Sequence, residues 1–209
     1  MSGGRMPAKE ALAAVHAPRR DEDVVVTTMS PARDWMTMPQ HARDLVLVPS
    51  AMSHATSVGL GIALAQPRRR VIVCNGDGSM LMNLGSLVSI VAARATNLIL
   101  LVFENGTYEV TGSQRVPGAG VVDFAAMARA AGFGSVYEFS DLDHWHREVD
   151  GVLAAPGPTF ALLRVESVRG LPGPRSPGPA AERGRKFREA LNGELVAARG
   201  VGALQRHST

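Results

Sequence analysis

Two apolar runs in the middle of the chain each end in a short glycine-containing polar segment, and this arrangement strongly constrains the fold. The run Arg70 to Cys74 leads into Asn-Gly-Asp-Gly-Ser, and the run Asn97 to Phe103 leads into Glu-Asn-Gly. Short continuous apolar runs are typical of buried strands in a parallel sheet. Asp77 is therefore expected at the carboxyl end of one strand, and Asn105 at the carboxyl end of the next.

The segment between the runs, Ser79 to Ala95, has apolar residues on most turns and good helix formers, which predicts a helix. A strand-helix-strand crossover returns the chain to the same sheet edge, so Asp77 and Asn105, 28 residues apart, can meet. The first free amides of the helix would face the same place and favour phosphate oxygens. The alternative is that both polar segments are ordinary turns.

If Asp77 and Asn105 meet, they bring a carboxylate oxygen and an amide oxygen to one point. Both are hard oxygen ligands. With a backbone carbonyl, phosphate oxygens and water they would complete the octahedron that Mg²⁺ requires, and Ca²⁺ or Mn²⁺ could substitute. The pattern therefore predicts a metal-bound diphosphate at this edge of the sheet.

These residues resemble the motif of thiamine diphosphate enzymes, in which Gly-Asp-Gly is followed after a similar interval by Asn. The resemblance runs from about Val24 to Val165, and it points to the diphosphate-binding domain of the phosphonopyruvate and sulfopyruvate decarboxylases, where that domain can be a separate subunit. It implies thiamine diphosphate and Mg²⁺ as cofactors. It implies three metal ligands, namely the side chains of Asp77 and Asn105 and the backbone carbonyl of Thr107. The cofactor contacts that it implies are Thr28, Ser50, Met52, Gly76, Asp77, Gly78, Ser79, Asn105, Thr107 and Tyr108.

The segment that begins at Ser50, Ser-Ala-Met-Ser-His-Ala-Thr-Ser, looks like the family's Gly-Ser-Met-Gly-His-Ala-Ser. In the family, the bulky residue at the position of Met52 holds the cofactor in a V shape; the alternative is a methionine that only fills a helix start. His54 would lie near the cofactor as a phosphate donor or proton shuttle, or would bond locally. Thr28 is a candidate diphosphate contact, although its β-propensity also explains it. Three residues replace the family's Gly, Ser and Gly: Ser50, Ala51 and Ser53.

The segment Asn105 to Gln114 resembles a family loop that closes over the cofactor, with Glu109 and Val110 in place of smaller residues. Glu109 could act as an acid or base, repel an anionic substrate, or be a solvated loop residue. A phosphonate or sulfonate substrate would need cationic partners, for which Arg33 and Arg115 are the candidates. The catalytic candidates are Met52, His54 and Glu109.

The remaining pattern predicts an α/β fold with a doubly wound, mostly parallel sheet flanked by helices. Further strands are predicted at residues 24–28, 45–48, 136–139 and 159–165, and further helices at 52–66, 123–131 and 141–155. The predicted boundaries are an arm or short helix at 1–21, the binding domain at 22–168, a Pro/Gly-rich linker at 169–179, and a helix with a tail at 180–209.

Composition limits the function classes. With 209 residues and 45% apolar residues the chain can bury one core, but a complete thiamine diphosphate decarboxylase has two or three domains. The single Cys74 excludes an internal disulfide, and the absence of a long apolar run predicts a cytoplasmic protein without a membrane span. A net charge of +3 from scattered arginines does not favour nucleic-acid binding.

The function expected is therefore that of a diphosphate-binding subunit in a heteromeric 2-oxo acid decarboxylase. The glutamate that activates the cofactor belongs, in this family, to a pyrimidine-binding domain, so a separate subunit must supply it or the chain is inactive. Two alternatives remain at this point. One is a carboligase resembling acetolactate synthase, and the other is a non-catalytic paralogue that stabilises a partner.

Overall fold

The computed structural model describes residues 4–48 and 52–204, with side chains through residue 193. The strands in these ranges are β1 (Val24–Thr27), β2 (Asp44–Val46), β3 (Val71–Gly76), β4 (Leu98–Glu104), β5 (Thr107–Tyr108), β6 (Gln114–Arg115), β7 (Ser135–Phe139) and β8 (Thr159–Arg164). The helices are α1 (Ala8–His16), α2 (Met29–Trp35), α3 (Ala55–Ala65), α4 (Asp77–Leu81), α5 (Gly85–Ala92), α6 (Phe124–Ala131), α7 (Leu142–Ala154) and α8 (Ala180–Leu204). A single 3₁₀ turn covers Glu109–Thr111.

Six strands form one parallel sheet in the order β2-β1-β3-β4-β8-β7, and β5 pairs with β6 in a small antiparallel hairpin. In the large sheet, β2 and β3 lie on opposite sides of β1, so the winding direction reverses between β1 and β3. Ligands of open α/β sheets bind at the carboxyl ends of strands at such a switch point. Thr28 follows β1 and Asp77 follows β3, so both lie at this point.

Helices cover both faces of the sheet, which confirms the predicted fold class. On one face α1, α2 and α7 pack over a core that includes the fully buried Trp35 and Trp145. On the other face α3 to α6, together with Phe187 of α8, pack over Leu100 and Phe160. Because both faces are covered, β3 and β4 are mostly continuous apolar runs without alternation.

The amino-terminal residues are part of this core. The backbone of Met6 pairs in parallel with Val165, next to the end of β8. Helix α1 then buries Leu12 and Val15 against the same face of the sheet. Residues 4–16 therefore fold with the sheet, in the part of the chain for which the sequence allows an arm or a short helix.

The predicted helix from Ser79 to Ala95 is divided into α4 and α5 by a turn at residues 82–84. Asn83 in this turn donates from Nδ2 to the carbonyl of Ser53, at 2.9 Å, and to Oγ of Ser57, at 3.1 Å. Asn and Gly are weak helix formers, and Gly85 follows directly. The side-chain bonds of Asn83 therefore compete successfully with a continuous helix.

The carboxyl-terminal part of the chain returns to the edge of the sheet. Residues 171–179 carry no helix or strand, and α8 follows. The guanidinium of Arg183 in α8 donates to the carbonyl of Val46, at 2.7 Å, and also to that of Val48. None of the helices in the described ranges is both long and apolar enough to cross a membrane.

Candidate cofactor site

Asp77, the first residue of α4, connects the ends of two neighbouring strands. Its Oδ1 accepts from the amide of Gly78 at 2.8 Å, and its Oδ2 accepts from the amide of Gly106 at 2.7 Å. Gly106 follows β4, so the two glycine-containing segments meet as their spacing predicts. The carboxylate is almost fully buried, since Asp77 is only 3% exposed.

No basic group balances this buried carboxylate: among the described residues, no Lys or Arg forms an ion pair with Asp77. Burial raises the pKa of Asp77 from 3.8 to about 6, although hydrogen bonds from the amides of Gly106 and Gly78 oppose the rise. Buried charges in proteins are normally paired or coordinate a metal. The surroundings of Asp77 therefore fit a divalent cation.

Asn105 and Thr107 lie beside Asp77 and line the same cleft. Oδ1 of Asn105 accepts from the amide of Thr107 at 2.8 Å, which fixes the turn between β4 and β5. The hydroxyl of Thr107 lies 2.8 Å from that of Ser167. The described residues contain no cluster of three His, Cys, Asp or Glu side chains that could hold a metal. A metal here would thus need oxygen ligands beyond side-chain carboxylates, such as backbone carbonyls or phosphate.

The glycines on either side of Asp77 have different surroundings. A Cβ at Gly78 would lie 2.4 Å from Cε1 of Tyr108, so the ring of Tyr108 packs directly on the Gly78 backbone. A Cβ at Gly76 would meet no atom within 4 Å. Gly78 therefore permits a close contact within the protein, whereas Gly76 leaves space open in the cleft.

The cleft itself encloses about 590 Å³, including the part open to solvent. Residues of α1, α2, α4 and the segment after β4 form its walls. The apolar part of the wall consists of Ala8, Leu12, Met29, Pro31, Met52, Phe103, Tyr108, Val110 and Val165. No sequence motif predicted that α1 or α2 forms part of this wall. The apolar spacing in α1 indicates a buried helix face but not the surface on which it packs.

Glu109, on the 3₁₀ turn after β5, is not a solvated loop residue. It is 6% exposed, and its Oε1 accepts from the amide of Val168 at 2.7 Å. Its Oε2 accepts from Nη2 of Arg33 at 3.2 Å, and Nε of Arg33 also donates to Oδ1 of Asp34 at 2.9 Å. Burial lowers the pKa of Arg33, but the hydrogen bonds and charges of Asp34 and Glu109 outweigh burial and raise it. The guanidinium is therefore bound between two carboxylates.

Residues 24–161 match the family model described as "Thiamine pyrophosphate enzyme, C-terminal TPP binding domain". The chain belongs to this thiamine pyrophosphate enzyme family. The match covers five strands of the large sheet and the first half of β8, as well as the segments that carry Asp77 and Asn105. It confirms the resemblance on which the cofactor prediction depends.

Curated relatives agree with the family model. The chain is 39% identical over 171 residues to a phosphonopyruvate decarboxylase of Streptomyces viridochromogenes, covering 80% of this chain and 42% of that protein. It is 38% identical over 157 residues to the sulfopyruvate decarboxylase subunit beta of Methanothermobacter thermautotrophicus, covering 75% of this chain and 80% of that subunit. The chain thus spans about two fifths of the first relative and most of the second.

A solved structure shows the same fold. It is described as a thiamin diphosphate-dependent enzyme from Mycobacterium smegmatis, and it superposes with a TM-score of 0.66 at 20% sequence identity. The superposition covers 77% of this chain and 32% of that one. At this identity the likeness concerns the fold alone, and it confirms the thiamine diphosphate-binding fold.

The family segment around Met52 is only partly described, because Ser50 lies outside the described residues. Met52 is half-buried and lines the cleft. Ser53 adopts a left-handed φ of 73°. Its amide donates to Oγ of Ser79 at 3.0 Å, which helps to hold this conformation. Left-handed backbone costs about 1–2 kcal/mol for a residue with a Cβ, so Ser53 is strained.

The catalytic candidate His54 and the predicted cofactor contact Thr28 lie next to the cleft without lining it. His54 is exposed, and its Nδ1 lies 2.9 Å from the carbonyl of Met52 and 3.1 Å from Oγ of Ser53, so the ring is bonded locally. The hydroxyl of Thr28 is buried and has no hydrogen-bond partner among the described residues. Thr28 therefore retains an unused donor directly before Met29, which lines the cleft.

Proposed function

We propose that this chain is the diphosphate-binding subunit of a heteromeric thiamine diphosphate-dependent 2-oxo acid decarboxylase. The observation that carries the proposal is the buried, unpaired carboxylate of Asp77, which lies beside Asn105 and Thr107 at the switch point of the sheet. The names of the relatives, phosphonopyruvate decarboxylase and sulfopyruvate decarboxylase subunit beta, support the same reaction class.

The proposed metal ligands are the side chains of Asp77 and Asn105 and the backbone carbonyl of Thr107, with Mg²⁺ as the cation. A divalent cation would balance the charge of Asp77, which is buried without an ion-pair partner among the described residues. The diphosphate would occupy the open space at Gly76. The residues that follow Gly76, at the start of α4, would contact it. The cofactor contacts proposed from the sequence are Thr28, Ser50, Met52, Gly76, Gly78, Ser79 and Tyr108.

When bound, thiamine diphosphate would supply the carbanion that adds to the ketone of a 2-oxo acid and the electron sink for the loss of carbon dioxide. The residues of this chain would position and shield it. Met52 would support the bent cofactor, and Tyr108, packed on Gly78, would fix the hairpin beside it. The apolar wall would exclude water, which strengthens electrostatic interactions in the cleft. His54 has no part in this proposal, because its ring is exposed and bonded to the Met52 carbonyl.

A second chain is part of the proposal. The described residues form one sheet with its two helical layers, and they contain no second sheet of the size of a pyrimidine-binding domain. The relatives include separate beta subunits of sulfopyruvate decarboxylase. We therefore expect a pyrimidine-binding subunit that supplies the activating glutamate and completes the cofactor site.

Native capture of a tagged copy of this chain from the cells that make it tests the proposal. The captured complex would be examined by mass analysis, assayed for thiamine diphosphate and supplied with a panel of 2-oxo acids. A co-purifying pyrimidine-domain chain, bound cofactor and release of carbon dioxide are expected. A complex that binds no cofactor with Mg²⁺, or releases no carbon dioxide from any 2-oxo acid, would contradict the proposal; addition of a second carbonyl compound would reveal a carboligase by its product.

A further inference from the structure

Of the two arginines that the sequence offers for an anionic substrate, Arg33 is the one that lies next to the cleft, and its guanidinium is paired with carboxylates of the described structure. Its side chain is 14% exposed. Nε and Nη2 donate to Asp34 at 2.9 and 3.4 Å, and Nη2 also donates to Glu109 at 3.2 Å. The remaining nitrogen, Nη1, is buried and has no partner among the described residues. Nε and Nη2 are thus engaged by carboxylates, and Nη1 is enclosed by the protein.

Glu109 is fixed in the position from which it reaches Arg33. Its second oxygen accepts from the amide of Val168, on the segment after β8, at 2.7 Å. The contact joins the hairpin loop to a strand end, because Glu109 and Val168 are 59 residues apart. The carboxylate is therefore held by two donors from different parts of the chain.

No other cation replaces Arg33 on the described wall of the cleft. The described lining residues include Asp34 and Glu109 but no Lys, Arg or His. Arg115, the other candidate, is exposed on β6 and donates to the carbonyl of Ala119 at 2.7 Å. An anionic side chain entering the cleft would thus meet Asp34 and Glu109, in addition to Asp77, against one enclosed guanidinium. Like charges at close range are strongly unfavourable.

We infer that Glu109, with Asp34, sets the substrate class by neutralising Arg33, so that the 2-oxo acid accepted has an uncharged, apolar side chain. The inference rests on the proposed function and names its substrate class. Apolar residues supply the surface for such a side chain: Leu12, Met29, Pro31, Val110 and Val165. Glu109 would then determine specificity by repelling anionic side chains, and it would not exchange protons with the substrate.

The test compares substrates that differ mainly in side-chain charge. The natively captured complex would be assayed for carbon dioxide release from 2-oxobutanoate and 4-methyl-2-oxopentanoate, and from sulfopyruvate and phosphonopyruvate. We expect kcat/KM for the uncharged substrates to exceed that for the anionic ones at least about tenfold. General damage to the site would lower both values, whereas the ratio reports only the discrimination by charge.

Glu109→Gln removes the charge and keeps an oxygen that can accept from the amide of Val168. We expect this variant to shift the ratio at least about tenfold toward sulfopyruvate, because Arg33 is then incompletely neutralised. Asp34→Asn should shift it in the same direction, and it serves as the second variant if the first does not fold. Glu148→Gln, an exposed residue on α7, is the matched control and should leave the ratio unchanged.

The outcomes separate the two proposals. If the wild-type complex prefers sulfopyruvate or phosphonopyruvate, a cation from elsewhere binds the anion, and the inference is overturned while the decarboxylase proposal stands. An unchanged ratio in both Glu109→Gln and Asp34→Asn would also overturn it. If no 2-oxo acid releases carbon dioxide, the proposed function fails, and the inference fails with it.

Discussion

Asp77 and Glu109 are buried carboxylates in the wall of the same cleft, but their surroundings differ. Glu109 accepts from the guanidinium of Arg33 and from a backbone amide. Among the described residues, Asp77 accepts from backbone amides, including those of Gly78 and Gly106, and from no cationic side chain; burial raises its pKa to about 6. The charge of Glu109 is therefore balanced within the described structure, whereas that of Asp77 is not. The comparison indicates that the missing counter-charge, more than burial, distinguishes the proposed metal ligand Asp77 from the structural acid Glu109.

The largest effect is expected when the unbalanced charge is removed. Asp77→Asn should weaken Mg²⁺-dependent binding of thiamine diphosphate about 100-fold or more, because a neutral amide replaces the charged ligand. Equilibrium dialysis of the captured complex with thiamine diphosphate and Mg²⁺ measures this. Asp150→Asn, on the exposed side of α7, is the control and should bind as the wild type does. Unchanged binding by Asp77→Asn would remove Asp77 from the metal site.

A pH effect should accompany the raised pKa of Asp77 in the chain without metal. The folded-state pKa of about 6 lies above the ordinary value of 3.8, so folding favours the protonated acid. The contribution of Asp77 to the free energy of unfolding is then largest below about pH 4. This contribution falls by about 3 kcal/mol as the pH rises through 6. Denaturant unfolding between pH 4 and 8 measures the fall, and Asp77→Asn should show a flatter profile. Identical profiles for the two chains would contradict the assignment.

The close contact beneath the hairpin predicts a smaller loss of stability. Gly78→Ala would place its Cβ 2.4 Å from Cε1 of Tyr108, and displacing the ring should lower the free energy of unfolding by about 1–3 kcal/mol. Gly85→Ala is the matched control, since a Cβ there meets no atom within 4 Å and alanine favours the helix. Thermal unfolding of both variants checks the difference. An equal change in the two would show that the ring of Tyr108 can move away without loss of stability.

The smallest effect concerns the strained residue beside Met52. Ser53→Gly should raise the free energy of unfolding by about 0.5–1 kcal/mol, because glycine adopts the φ of 73° without the strain of a Cβ. Ala65→Gly, at the exposed end of α3, should instead destabilise the fold by a similar amount. Denaturant midpoints distinguish the two signs. Destabilisation by Ser53→Gly would mean that the contacts of the Ser53 side chain stabilise the fold by more than the left-handed backbone destabilises it.

The sequence predicted the contact between the Asp77 and Asn105 segments because local patterns determine it. Each residue follows an apolar strand, and parallel strands joined by a crossover end at the same edge. The pairing of Arg33 with Glu109 could not be predicted in this way. The two residues are 76 positions apart and lie in no common motif, and they meet only because α2 and the turn after β5 pack together.

Secondary structure shows the same limit. The predicted strands agree closely with those observed, since their composition reflects burial on both faces of the sheet. The division between α4 and α5 was missed, because it depends on hydrogen bonds from Asn83 to the distant Ser53 and Ser57. Helix α2 was missed as well, since Pro31 and two small residues give it a weak helical pattern.

The contact of Arg183 with the end of β2 has a consequence for solubility. An open sheet has two edge strands, and unpaired edges can recruit strands from other molecules. At the β2 edge, the guanidinium of Arg183 donates hydrogen bonds to the carbonyls of Val46 and Val48. At the opposite edge, Glu138 on β7 carries ion pairs to Arg129 and Arg164. Charged groups therefore lie at both edge strands of the sheet, where they oppose edge-to-edge pairing with other molecules.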